Sequence, residues 1–172
     1  MIVEQIWTAN AYRNFNYLIA CPETGEALAI DPLDHKKCLA LAKERGCQVV
    51  GDVVTVGKSV DLEVLDTPGH TMSHVCLLSR TDQPGLFCGD TLFNAGAGNC
   101  HNGGHPNELY HTFAEQLSKL PETTQIYPGH DYIANNLRFT LDREPDNAEA
   151  ESLLSKVDHQ DTDHAMITTL AE

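Results

Sequence analysis

With 172 residues, 41% of them hydrophobic, the chain is long enough to bury one good core, and one domain is expected over 1–172, with 142–172 as a C-terminal helical tail. Eleven Lys and Arg against 25 Asp and Glu give a formal charge of −14, which excludes nucleic acid and an anionic membrane surface as partners. No apolar run approaches the roughly 20 residues of a membrane span, and Met1-Ile2-Val3 opens directly as a strand, so a cytoplasmic protein is expected.

Ile2 to Trp7 and Phe15 to Ala20 are rich in β-branched and aromatic residues and are separated by a polar stretch, so they read as antiparallel strands. In the second of them Phe15, Tyr17 and Ile19 alternate with Asn16 and Leu18. A third strand, Ala27 to Ile30, stops at Asp31-Pro32; Asp34 then caps a helix with Cys38, Leu41 and Ala42 on its apolar side and Gly46 at its end. Strands are expected at Val49-Val50, Asp52 to Val56 and Val60 to Leu65, the last with Val60, Leu62 and Val64 on one face. Val75 to Leu78 and Leu86 to Cys88 add two more. His105-Pro106 opens a helix with Leu109, Phe113, Leu117 and Leu120 down one side, and Pro121 ends it. Gln125 to Tyr127 reads as a final strand, and Tyr132 to Leu141 and Ala148 to Val157 as helices. The six cysteines, at 21, 38, 47, 76, 88 and 100, form no CxxC pair and read as reduced thiols, mostly buried. Two groups of strands with helices segregated outside them point to an α+β fold, an αββα sandwich whose loops at one edge carry function.

Three of those loops share one pattern, an apolar strand followed by a glycine beside a metal-competent side chain: "TPGH" at 67–70, "CGDTLF" at 88–93 and "YPGHD" at 127–131. Any one of them is an ordinary turn. Together they can bring His70, Asp90 and His130 from three strand ends into one cleft. Two imidazoles and a carboxylate suit zinc, iron or manganese, and separations of 20 and 40 residues suit convergence from distant loops rather than a zinc finger.

On these motifs the chain resembles the metallo-β-lactamase-fold hydrolases, and within them the glyoxalase II (hydroxyacylglutathione hydrolase) branch. "NFNYLI" at 14–19 and "AIDP" at 29–32 are similar to its opening strands; "LDTPGHTMSHVCLL" at 65–78, "GDTLFNAGAGNC" at 89–100 and "YPGHDYIANNLRF" at 127–139 are similar to its later motifs. The resemblance implies a sandwich with two metal ions at its edge and hydrolysis of an S-acyl thiol thioester. His70 would then ligate the first ion, Asp90 would bridge both as the catalytic carboxylate, and His130 would ligate the second. Tyr132 matches a tyrosine that contacts the glutathione moiety. The paired cations lower the pKa of bound water toward 7 and stabilise the oxyanion, and a thiolate leaves readily.

The chain also departs from that pattern. The family's T-x-H-x-H-x-D-H motif is expected after the strand at Cys47 to Val50, and Val50 runs instead into "GDVVTVGKSVDLEVL"; His35, at a helix start, has neither the spacing nor the neighbours to replace it. Each ion keeps two protein ligands, so zinc, iron or manganese is expected at reduced occupancy unless one ion recruits all three side chains as a 2-His-1-carboxylate site. The abrupt junction at Val50-Gly51, beside well-kept motifs, favours an absent segment over gradual decay. Asn99 stands where many relatives carry a basic residue for the glutathione carboxylate. Asn99, His101 and Tyr132 are the candidate substrate contacts, with Cys100, His101 and His105 a possible thiol or accessory metal cluster and His105 alternatively a helix cap. His74 reads as a support for the ligands, and His111, His159 and His164 as surface residues. The alternatives carried forward are a mononuclear-iron persulfide dioxygenase, which shares the fold, and a metal-poor binding module. The partner is expected to be a small-molecule thioester, and the oligomeric state stays open.

Overall fold

A computed structural model describes residues 1–49, 55–56, 60–161 and 165–172. The strands expected at Val49-Val50 and Asp52 to Val56 fall partly outside that set, as does His164.

The first sheet has the order β1-β2-β3-β4, formed by β1 (Ile2–Trp7), β2 (Phe15–Ala20), β3 (Glu26–Ile30) and β4 (Gln48–Val49); β4 pairs parallel to β3 and the others pair antiparallel. The helix α1 (His35–Glu44) supplies the crossover that this parallel pairing needs, and the Asp34 side chain caps it by accepting from Lys37 N–H. The second sheet has the order β11-β8-β7-β6-β5, from β5 (Thr55–Val56), β6 (Val60–Asp66), β7 (Val75–Ser79), β8 (Gly85–Gly89) and β11 (Gln125–Pro128). Between β8 and β11 come a two-stranded ribbon, β9 (Leu92–Phe93) with β10 (Gly96–Ala97), and the helix α2 (Pro106–Glu115). The helices α3 (Ile133–Arg143) and α4 (Ala148–Val157) follow.

Alternation along β2 decides the layering. Phe15, Tyr17 and Ile19 point inward and meet Val60, Leu62, Phe87 and Tyr127 of the second sheet, while Leu18 and Ala20 point outward against Cys38 and Ala42 of α1. On the far side Cys76, Leu78, Leu86 and Cys88 meet Phe113 of α2 and Leu117. The order of layers is therefore helix, sheet, sheet, helix. Every residue of β2 is buried because both of its faces are covered, which is why its alternation shows in direction rather than in polarity. Cys38, Cys47, Cys76, Cys88 and Cys100 are free thiols, and Cys21, Cys38, Cys76 and Cys88 are buried.

Two expectations need correction. The helix read from Pro106 to Leu120 ends at Glu115, and a single 3-10 turn (Leu117–Lys119) follows. Gln116 leaves the helical backbone, donating through Nε2 to Asp66 O at 2.7 Å, and the tighter turn drives Leu117 into the core at 2% exposure. The tail 142–172 is helical only through the end of α3 and α4. Residues 165–169 run without helix along the free edge of β11 and end in a turn at 170–171, with Ile126 N–H bonded to Thr168 O and Leu170 N–H to Thr124 O. An edge strand offers unpaired backbone groups, and this segment satisfies them.

Candidate metal centre

Three strand ends are stitched together at one edge of the sandwich. Gly129 N–H donates to Gly89 O at 2.8 Å and Phe15 N–H to Gly129 O at 2.9 Å, so the ends of β8, β11 and β2 meet. The Tyr17 hydroxyl crosses the inter-sheet core and donates to Pro128 O at 2.7 Å, anchoring the turn that presents His130. Gly69 sits at φ +145, and a side chain there would strike the Leu109 backbone; α2 can press against the "TPGH" turn only because that residue is glycine. Gly89 lies at φ +47, with its Cβ position 2.8 Å from His74 Nε2.

The result is a cleft of about 570 Å³ lined by residues that include Asp31, His70, His74, Asp90 and His130. His70 Nε2 lies 3.4 Å from Asp90 Oδ2, and His130 Nε2 lies 3.2 Å from Asp90 Oδ1. Each ring is held from behind. His70 Nδ1 is 2.6 Å from Asn99 O and His130 Nδ1 is 2.6 Å from Tyr12 O; a carbonyl only accepts, so both Nδ1 atoms carry the proton and both Nε2 atoms turn toward the carboxylate. Positive charge at this junction can come in either of two ways: a proton on Nε2, which makes the ring a donor to Asp90, or a cation seated between a neutral Nε2 and the carboxylate. This donor set fits divalent cations, and the same back-side hydrogen bond is what orients metal-ligating histidines. The two imidazoles take opposite oxygens of Asp90, and among the described residues no three His, Cys, Asp or Glu side chains converge on one point fit for an ion. Each imidazole thus faces its own oxygen of the one carboxylate they share.

Burial works to raise the Asp90 carboxyl, but the facing imidazoles, His130 foremost, outweigh it and hold it below the usual carboxylate range. The hydrogen bond to Asp90 raises His130 above the ordinary imidazole value against the opposing effect of burial. Burial, then the Asp90 charge, raises Asp31. Burial lowers His74, which stays neutral: Nδ1 lies 3.0 Å from Thr91 Oγ1 and 3.3 Å from Thr67 Oγ1, and Nε2 accepts from Asp90 N–H at 3.3 Å. His74 thus steadies the main chain of Asp90.

The expected substrate contacts lie outside the residues that line the cleft. The Tyr132 ring stacks on His130, with centroids 4.8 Å apart and planes at 4°, and its hydroxyl donates to Tyr12 O at 3.2 Å. Asn99 uses its carbonyl to hold His70 and its Oδ1 to accept from His101 N–H at 3.0 Å, while the His101 side is exposed. His105 takes the N-cap position of α2 without a side-chain capping bond; its backbone N–H ties the helix to Gly69 O at 2.9 Å. His111 pairs with Glu115 and His159 bonds Ser155 O, both at the surface. Sequence reasoning missed Asn16, fully buried, whose Nδ2 donates to Asp31 O and whose Oδ1 accepts from Asp34 N–H, fixing the Asp31 loop beside the cleft.

The metallo-beta-lactamase superfamily model matches residues 15–130, a span that takes in His70, Asp90 and His130. The chain belongs to this superfamily. Within it, the chain is 55% identical to the hydroxyacylglutathione hydrolase of Nitrosococcus oceani, with 99% of this chain and 82% of that protein covered. It is also 55% identical to the hydroxyacylglutathione hydrolase of a Polaromonas species, with 100% and 82% covered. Among solved structures of the superfamily, ETHE1 from Myxococcus xanthus superposes with a TM-score of 0.69 at 25% identity, covering 77% of this chain and 76% of that one. The alignment with the Nitrosococcus protein runs over 216 positions against a chain of 172 residues, so at least 44 positions of that relative face gaps here. Among superfamily members of this kind the chain is a shortened one.

Proposed function

We propose that the chain is a thioester hydrolase of the hydroxyacylglutathione type, built around a metal cleft of His70, Asp90 and His130. The observation that carries this reading is the pair of imidazoles, each locked by a carbonyl behind it and each facing its own oxygen of Asp90. Relatives at 55% identity bear that activity in their names.

In this reading His70 and Asp90 would hold one ion and Asp90 and His130 the other, with zinc the first choice and iron or manganese the alternatives. Bound there, the ions would supply Lewis acidity toward the thioester carbonyl and a water acidified toward neutrality. The chain's own residues do the rest. His74 and Asn99 keep Asp90 and His70 in place, the Gly89 and Gly129 turns let His74 and Asp90 lie close against the backbone, and Tyr132, Asn99 and His101 are the candidate substrate contacts. The partner is a small acyl thiol, and the location is cytoplasmic. Among the described residues no helix is long and apolar enough to cross a membrane. The mononuclear-iron reading has less support, because relatives at 55% identity over nearly the whole chain carry the hydrolase name.

Metal analysis together with hydrolysis of an S-acyl glutathione tests the proposal. Zinc is expected to bind, and Asp90→Ala is expected to abolish binding and lower turnover at least a hundredfold, since it removes the donor common to both ions. Turnover left unchanged by Asp90→Ala overturns the proposal.

A further inference from the structure

The loop between β1 and β2 contacts the "GHDY" stretch more closely than a connection needs to. Its backbone turns sharply, with Arg13 at φ +56, Arg13 N–H bonded to Asn10 O at 3.1 Å and Asn14 N–H to Asn10 Oδ1 at 3.2 Å. That turn presents two consecutive residues, Tyr12 and Arg13, to three consecutive residues, His130, Asp131 and Tyr132. Tyr12 O accepts from His130 Nδ1 and from the Tyr132 hydroxyl. Arg13 O accepts from Asp131 N–H at 3.0 Å, Arg13 Nε donates to Asp131 O at 2.8 Å, and the guanidinium pairs with the Asp131 carboxylate. The Asp131 side chain is 6% exposed, and the arginine lies over the Trp7 ring, 5.2 Å from its centroid.

We infer that Arg13 is a positioning residue for His130: its fork grips both the backbone and the carboxylate of Asp131, and so fixes the Tyr12 carbonyl that sets the His130 tautomer and ring plane. An ordinary stabilising ion pair would need only the carboxylate. Here the same guanidinium also holds the carbonyl next to His130, a two-point grip that a lysine ammonium, as a point charge, cannot reproduce. Stacking of Tyr132 on His130 closes the arrangement from the other face. The inference rests on the reading of His130 as a metal-facing side chain, yet the ring position it concerns can be observed without metal.

The test uses the full chain with nitrogen-15-labelled histidine, metal-free, and follows the His130 Nδ1–H resonance, assigned by its absence in His130→Gln. In the wild type the proton is expected to exchange slowly. In Arg13→Met it is expected to broaden or vanish, and zinc affinity, measured by competition with a chromophoric chelator, to fall about 10–100-fold. Arg13→Lys should restore stability more fully than it restores the resonance. Because Arg13→Met leaves the Asp131 charge unpaired, the double variant Arg13→Met with Asp131→Asn is run beside it, and the same loss of the resonance is expected there in a folded protein. A His130 resonance unchanged from wild type in either folded variant overturns the inference. Should the wild type bind no zinc, the metal reading fails while the resonance still decides the role of Arg13.

Discussion

His74 shows how a residue with no place in the ligand set can control it. Its neutral ring joins Thr67, Thr91 and the Asp90 amide; in His74→Ala the Thr67 hydroxyl still reaches the residue-74 carbonyl and Cys76 Sγ, so the loss falls on the buried Thr91 hydroxyl and the Asp90 amide. At about 1–3 kcal/mol for such buried groups, the variant is expected to lose about 2 kcal/mol of stability by denaturant titration. Zinc affinity is expected to fall about tenfold by chelator competition, with His74→Gln recovering part of both. Stability equal to the wild type would show that the ring is not held as described. At this scale the sequence was legible where chemistry met a glycine: His70, Asp90 and His130 each announce themselves beside a turn. Arg13, Tyr12 and Asn16 do not, because a polar residue in a loop or strand carries no period, and its partners lie up to 120 residues away.

Among the elements, α2 owes its place to Gly69. Gly69→Ala must relieve both a backbone at φ +145 and a collision with Leu109, so α2 is expected to shift, with a loss of about 3 kcal/mol read from thermal unfolding. The segment at 165–172 makes a separate case. Its bonds from Ile126 N–H to Thr168 O, Leu170 N–H to Thr124 O and Ala171 N–H to Glu122 O are worth about 1 kcal/mol each. Leu170 also packs against the α2-side core. A chain ending at 164 is expected to lose about 3 kcal/mol or more and, with the β11 edge bare, to associate in light scattering as concentration rises. A truncated protein that stays monomeric and as stable as the full chain would contradict that role. The sequence offered only a helical tail over 142–172 and no pairing for this segment, because that pairing is dictated by a distant strand edge, which local propensity does not register. The β9–β10 ribbon escaped notice for a related reason, since two residues per strand are too few for alternation to show.

For the whole molecule, the sandwich was readable because β2 and β6 commit alternate residues to opposite faces, and a helix-forming stretch followed each sheet's contribution. What the fold could not convey was the number of donors each ion receives. In the proposed centre each ion would have one imidazole and a shared carboxylate, while a relative at 55% identity carries at least 44 further alignment positions. The resemblance places the expected T-x-H-x-H-x-D-H motif at the Val50-Gly51 junction, where this sequence lacks it. Grafting the Nitrosococcus oceani segment at that junction is therefore expected to tighten zinc binding. The clearest readout is the rise in unfolding temperature with added zinc, because a ligand that binds only the folded state stabilises it in proportion to the logarithm of its concentration over Kd, about 2.7 kcal/mol at a hundred times Kd. At one fixed zinc concentration the grafted protein should show the larger rise and the faster thioester turnover, and Asp90→Ala should remove both gains, since the shared carboxylate is needed whichever segment supplies the other ligands. Equal zinc responses with and without the graft would mean that His70, Asp90 and His130 already provide the whole of the affinity, and that the shortening spared the metal centre.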